Sequence, residues 1–228
     1  MTEERRLLPE TQDYWTRVAD AFAAPLRANG QLEGFVTNPA VTGAYAEAWI
    51  RSLVVTMVPN LRVSTGAILR TSDELKGRPR RAIPQSDLIL WDPTVFPPLF
   101  AANGFALIHT RAVRGVIEVK RTMRRRGDLE SQLQKQRDRL LREYRRNVLG
   151  VVVANPRPLL TTLVEEAWIS RLDLKRPAPI VRLLDGNSSK ADASGVFALI
   201  YFLSHVARHP DMVKVESDRT AGPGPVKS

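Results

Sequence analysis

Cysteine is absent from this 228-residue chain, so no disulfide framework and no thiolate metal site can organise it. The fold must rest on packing. Long uncharged apolar runs are missing as well, and none approaches the roughly 18 residues that would read as a membrane span. The opening MTEERRLLPE lacks the apolar segment of a secretory signal. Internal repeats are not apparent. Together these absences point to a soluble, cytoplasmic protein with no membrane partner.

Positive charge, by contrast, is in excess. Lysine and arginine number 34 against 24 acidic residues, a formal net charge of +10, and such a balance favours polyanionic partners, nucleic acid above all. The distribution says more than the total. Arg78, Arg80 and Arg81 precede a predicted strand, and Arg121, Arg124, Arg125 and Arg126 follow another. Lys135, Arg137, Arg139, Arg142, Arg145 and Arg146 then recur on a predicted helix, where Asp128, Glu130, Asp138 and Glu143 could make them an ordinary solvated face. The run Arg124–Arg126 has no acid beside it until Asp128, which favours phosphate contact there.

The apolar content of 43% supports one compact α/β domain over about 1–215. Helical periodicity covers 11–28, broken late by Pro25. A second helix begins at Asn38-Pro39, a cap followed by proline in the first turn, and stops near Pro59. LRVSTGAILR, SDLILW and VRGVIEV read as strands, the second closed by the Asp92-Pro93 turn. A long amphipathic helix is predicted from Asp128 to Arg146, carrying Leu129, Leu133, Gln136, Leu140 and Tyr144 near one face. VLGVVVA is a further buried strand, and a final strand and helix fill 178–209. Residues 216–228 read as a disordered tail. The order of elements, with helices on both sides of the strands, argues for an α/β sandwich.

On VRGVIEVK, alternation sends Glu118 and Lys120 to one face and Ile117 and Val119 to the other. An acid and a lysine on an otherwise apolar strand are costly to bury without a purpose or a partner. Asp87, at the entry of SDLILW, is in phase with Ile89 and Trp91. If the two strands are neighbours, Asp87 lies beside Glu118, and two carboxylates that close repel unless a cation separates them. Magnesium suits such a pair, because it takes oxygen ligands and keeps waters that a phosphate can displace. A nearby lysine could activate water or stabilise charge building on phosphorus.

Asp87, followed by Glu118-Val119-Lys120 on an apolar strand, resembles the D…E-x-K signature of the PD-(D/E)XK nuclease superfamily. The core order of that superfamily (helix, three-stranded meander, helix, strand) matches the reading of 38–155. The runs Gly43–Glu47, Val58-Pro59, Gln85–Asp92 and Val116–Lys120 are similar to an uncharacterised bacterial group of nuclease-like domains. The resemblance implies a restriction-endonuclease-like fold with a mixed central sheet. It also implies a magnesium-dependent endonuclease acting on DNA, with manganese able to substitute, and a setting in restriction or phage defence.

By resemblance, Asp87 and Glu118 are metal ligands, the Val119 carbonyl adds a ligand, Lys120 serves the water or the transition state, and Glu47 completes the metal site from its helix. Some members carry a glutamine on the helix after E-x-K. Gln132, Gln134 and Gln136 are all available here, and Gln85 is a further accessory candidate. Pro84 stands three residues before Asp87, where the superfamily name suggests Pro-Asp. Arg80, Arg81, Arg121, Arg124, Arg125 and Arg126 are the candidate DNA contacts. A homodimer or a larger defence complex is the expected assembly.

Plainer readings stand beside these. Glu118 and Lys120 could be a structural ion pair, and Glu47 could pair with Arg51 one turn on. Asp92 is expected to cap its turn. His205 and His209 have zinc-compatible spacing but no further ligand nearby, and His109 is a lone loop histidine. Gly186–Lys190 lacks Walker spacing. Trp49 and Trp91 read as core aromatics. The alternative function is an inactive nucleic-acid-binding or protein-interaction module that keeps the fold.

Overall fold

A computed structural model describes residues 9–32, 38–70, 83–123, 125–145, 147–155, 178–186 and 190–208. Among these residues, four α-helices flank one sheet: α1 (Pro9–Leu32), α2 (Pro39–Met57), α3 (Arg126–Arg137) and α4 (Ala193–Ala207). The strands are β1 (Arg62–Leu69), β2 (Gln85–Trp91), β3 (Phe100–Ala102), β4 (Phe105–His109), β5 (Val113–Lys120), β6 (Val148–Asn155) and β7 (Ile180–Asp185). Their order in the sheet is β3-β4-β1-β2-β5-β6-β7. β1, β2 and β5 form the antiparallel meander, while β6 and β7 continue the sheet in parallel.

Two apolar layers hold the sheet. On one side Leu88, Leu90, Ile117, Val119, Leu149 and Val151 pack against Ala19 and Ala23 of α1, Ile50 and Val54 of α2, and Phe202 and Leu203 of α4. On the other, Ile89, Val116, Val148, Val152 and Ile180 meet Leu129 and Leu133 of α3. β5 is thus covered on both faces, with seven of its eight residues buried. Each aliphatic side chain so buried contributes about 1.5–3 kcal/mol, which makes β5 a rigid support for whatever it carries.

The structure departs from the sequence reading in three places. α1 runs through Pro25 without ending. Pro25 is exposed, and so is Ala21, whose carbonyl loses its helical partner; water can take that carbonyl. The hairpin β3–β4 was not foreseen, and it is inserted between β2 and β5. α3 stops at Arg137, well short of Arg146. Beyond it, tertiary bonds claim the backbone and side chain of Arg139: Thr110 Oγ1 donates to its carbonyl at 2.8 Å, and its guanidinium reaches the Ile68 carbonyl at 3.3 Å. Leu140 and Tyr144 are buried as expected, but from a turn and a short 3-10 helix at Arg142–Tyr144.

Asp92 does cap its turn, accepting from the Thr94 amide at 2.9 Å. Trp91 is buried and its indole N–H donates to Ser64 at 3.1 Å. Trp49 sits edge-on to Phe22. The segments holding Arg78, Arg80 and Arg81, residues 156–177, and the C-terminal tail lie outside the described residues.

Gly66 on β1 has φ of 151°, and a Cβ there would lie 1.8 Å from the Ala106 carbonyl oxygen. The obstacle is backbone of the neighbouring strand, so it cannot rotate away. Gly66→Ala is expected to destabilise the protein by at least ~2 kcal/mol, read as a clear fall in the chemical-denaturation midpoint. An unchanged midpoint would mean that β4 is not fixed against β1.

Candidate active site

The pairing of β2 with β5 shifts between Trp91↔Val113 and Leu90↔Gly115 and then runs in step to Leu88↔Ile117. One residue further, Asp87 comes opposite Glu118, and from there side chains replace the backbone ladder. Asp87 Oδ2 accepts the Val119 N–H at 2.8 Å and lies 3.5 Å from Lys120 Nζ. The N–H and carbonyl of a strand residue point to the same side, so the Val119 carbonyl also faces the opening where β2 gives out. Glu118 shares the face of Val116 and Lys120, as alternation requires.

Glu118 is completely buried. Gln136 Nε2 donates to its Oε1 at 2.9 Å and to the Gln85 carbonyl at 2.9 Å, and the Gln132 amide donates to its Oε2. The two glutamines stand one turn apart on α3, on the face that Leu129 and Leu133 press against the sheet. Gln134 points outward and bonds Asp138 at 2.9 Å. Two of the three candidate glutamines therefore converge on one carboxylate.

Burial first, and then the neighbouring Asp87 charge, push the Glu118 carboxyl up to about 9; Lys120 and Gln136 pull the other way. Asp87 acts on Glu118 both through its charge and through its hydrogen-bonding capacity, each favouring the protonated acid, so the two carboxyls stand as close neighbours. Glu47 on α2 is also raised, by burial and then by Asp87, with Lys120 and Arg51 opposing. It therefore stands within electrostatic reach of the pair. Among the described residues, no three Asp, Glu or His side chains are gathered tightly enough to hold a metal ion by themselves. Two neighbouring carboxylates and an inward carbonyl still fit magnesium, which commonly takes one or two protein carboxylates and fills its shell with water and phosphate oxygens.

Of the other candidates, Arg121 reaches back to Thr42 Oγ1 on α2 at 3.1 Å. Arg125 and Arg126 are exposed, and Arg126 pairs with Glu130 at 2.7 Å, so part of its charge is answered on its own helix. The side chain of Gln85 is exposed; only its carbonyl joins the site. Arg124, Arg80, Arg81 and His209 lie outside the described residues. His109 ends β4 and is buried, stacked on Phe96 at 4.6 Å, so it is no exposed loop residue. Arg51 directs its guanidinium to Thr65 Oγ1, a contact with no signal in the sequence.

Glu118 has an ordinary carboxyl value of 4.5, and the folded protein holds it near 9. The native state thus binds this proton more tightly than the unfolded chain. The stabilisation is fully present below 4.5 and is lost as pH rises through 9. Metal-free protein is expected to lose thermal stability across that interval, and Glu118→Gln to flatten the loss and raise Tm at its alkaline end. Calorimetry over the pH range checks this; parallel curves for the two proteins would contradict it.

No protein-family model and no curated protein matches the chain. Among solved structures it is similar to NucC of E. coli MS115-1 in the cAAA-bound form, with TM-score 0.54 and 11% identity, over 90% of this chain and 93% of that one. It is similar also to cAAA-bound NucC of P. aeruginosa ATCC27853, with TM-score 0.54 and 12% identity, over 84% and 91%. NucC is a nuclease of the PD-(D/E)XK type. At such identity the likeness speaks for the fold, and the chain has the restriction-endonuclease-like α/β fold, its described residues forming a mixed seven-stranded sheet with helices on both faces.

Proposed function

We propose that this chain is a magnesium-dependent deoxyribonuclease that hydrolyses phosphodiester bonds, in a phage-defence setting like that of NucC. One observation carries the reading: Asp87, Glu118 and Lys120 meet on one face where β2 and β5 part. A fully buried acid beside a second, partly buried one is a costly arrangement, and a divalent cation would relieve it.

Asp87, Glu118 and the Val119 carbonyl would hold the ion, with Glu47 supporting from α2; bound there, magnesium supplies Lewis acidity and a water of lowered pKa. The remaining roles belong to the chain. Glu118 must give up its proton to act as a ligand, so metal affinity should rise with pH. Gln132 and Gln136 keep its two oxygens oriented. Lys120 keeps an ammonium beside Asp87, half-exposed, where it can meet a phosphate oxygen as negative charge builds. Arg125, exposed just before α3, is placed to contact backbone phosphates and to set position without reading sequence.

Plasmid incubated with magnesium is expected to be cut by the native protein and left intact by Asp87→Ala and Lys120→Ala, both variants keeping the native Tm. Salt-sensitive DNA binding with no cleavage in magnesium would select the non-catalytic module instead. Arg125→Ala should weaken DNA binding on every sequence and shallow its log–log salt dependence by about one unit. Binding assays on two unrelated duplexes test that, and a loss confined to one of them would count against the phosphate role.

A further inference from the structure

Beside the site, β1 and β2 do not pair in step. Between Ser64↔Ile89 and Gly66↔Ser86 the pairing advances by two residues on β1 and three on β2, so Leu88 and Asp87 together face Thr65. This is a β-bulge, which bends the longer strand and leaves backbone groups off the ladder. Here a side chain takes the displaced group: Thr65 Oγ1 donates to the Asp87 carbonyl at 2.9 Å. The same hydroxyl accepts a hydrogen bond from the Arg51 guanidinium, one helical turn beyond Glu47 on α2.

Thr65 is pinned from its other side as well. Its amide donates to the Gly104 carbonyl at 2.8 Å in the β3–β4 turn. The Arg51 guanidinium passes so close to that turn that a Cβ on Gly104, where φ is 78°, would lie 2.7 Å from Nη1. Helix α2 and the hairpin therefore meet on one residue of β1, Thr65, α2 through its hydroxyl and the hairpin through its amide, and the hydroxyl holds the backbone of Asp87. A strand one residue out of register sends each side chain to the opposite face. The bulge fixes the Asp87 backbone at the point where the β2–β5 ladder ends, and so bears on how closely its carboxylate approaches the Val119 N–H and Glu118.

We propose that Arg51 and Thr65 are positioning residues, a relay from α2 that clamps the β2 bulge and so aims the Asp87 carboxylate at the Val119 amide and Glu118. The charge of Arg51 also favours the ionised form of Glu47, so one guanidinium serves an acid on the helix and an acid on the strand. Neither residue needs to touch substrate. Their effect passes through Asp87, and only its metal readout rests on the nuclease reading above.

Two measurements on full-length protein separate that reading from the relay. The first is amide hydrogen exchange without metal, followed at Val119, whose N–H is held by Asp87 Oδ2 at 2.8 Å. Thr65→Val and Arg51→Met should exchange there roughly tenfold faster, as expected for one weakened hydrogen bond. Thr65→Ser, which restores the hydroxyl, should exchange like the native protein. The second is manganese titration by calorimetry, in which Thr65→Val should bind roughly 10–100-fold more weakly, the usual cost of losing a group that orients a metal ligand, and Thr65→Ser should recover. Native exchange at Val119 in Thr65→Val, with global stability unchanged, would overturn the relay. Failure of the native protein to bind manganese would overturn the nuclease reading and leave the exchange result to judge the relay alone.

Discussion

Two neighbouring carboxyl groups, one of them fully buried, define what this fold has to support. Neither Asp87 nor Glu118 could be placed there by apolar packing, because taking an acid out of water beside another acid is unfavourable twice over. The surroundings answer with donors. Val119 gives its amide and Lys120 its ammonium to Asp87, and Gln132 and Gln136 give amide protons to Glu118. Even so, Glu118 keeps its proton to about 9. The donors orient the pair, and burial still outweighs them at Glu118.

A second buried acid shows that the fold can satisfy a carboxylate when the role is structural. Asp92 is 2% exposed and Glu118 0%, so burial alone does not separate them. For Asp92, burial pushes the carboxyl up, but hydrogen bonds from Thr94 and the Arg114 cation outweigh it and hold it below the usual range. Arg114 is itself buried between Asp92 and Tyr144, its guanidinium 5.0 Å from the Tyr144 ring centre. That ion pair ties the start of β5 to the turn after β2 and to the chain beyond α3. The same two strands thus carry a compensated acid at one end and an uncompensated pair at the other.

The two packed layers turn this local chemistry into a fixed geometry. β5 sits between them with both faces covered, so Glu118 and Lys120 have little freedom. β2 is held by β1 on one side and β5 on the other, but it opens at Asp87, where the ladder with β5 has ended and the pairing with β1 is irregular. A site at the parting of two strands needs rigidity behind it and open valence in front. β5 supplies the first, and the bulge in β2 supplies the second.

Features that depend on near neighbours in the chain were readable from residue order. The limits of α2, the strands around Asp87 and Glu118, and the shared face of Glu118 and Lys120 follow from periods of 3.6 and 2 that packing only reinforces. What required distant partners was not. The hairpin Phe100–His109 carries little pattern of its own, since Phe100 and Phe105 are exposed and β4 gains its place by pairing with β1. α3 ends early because Thr110 and Ile68, far off in sequence, take bonds around Arg139. The choice of Gln132 and Gln136 over Gln134 follows from which face of α3 meets the sheet. Residue order alone therefore determined on which strand faces Asp87, Glu118 and Lys120 stand. The tertiary structure decided that Asp87 comes beside Glu118, because the pairing of β2 with β5 is made of hydrogen bonds between segments that the sequence keeps apart.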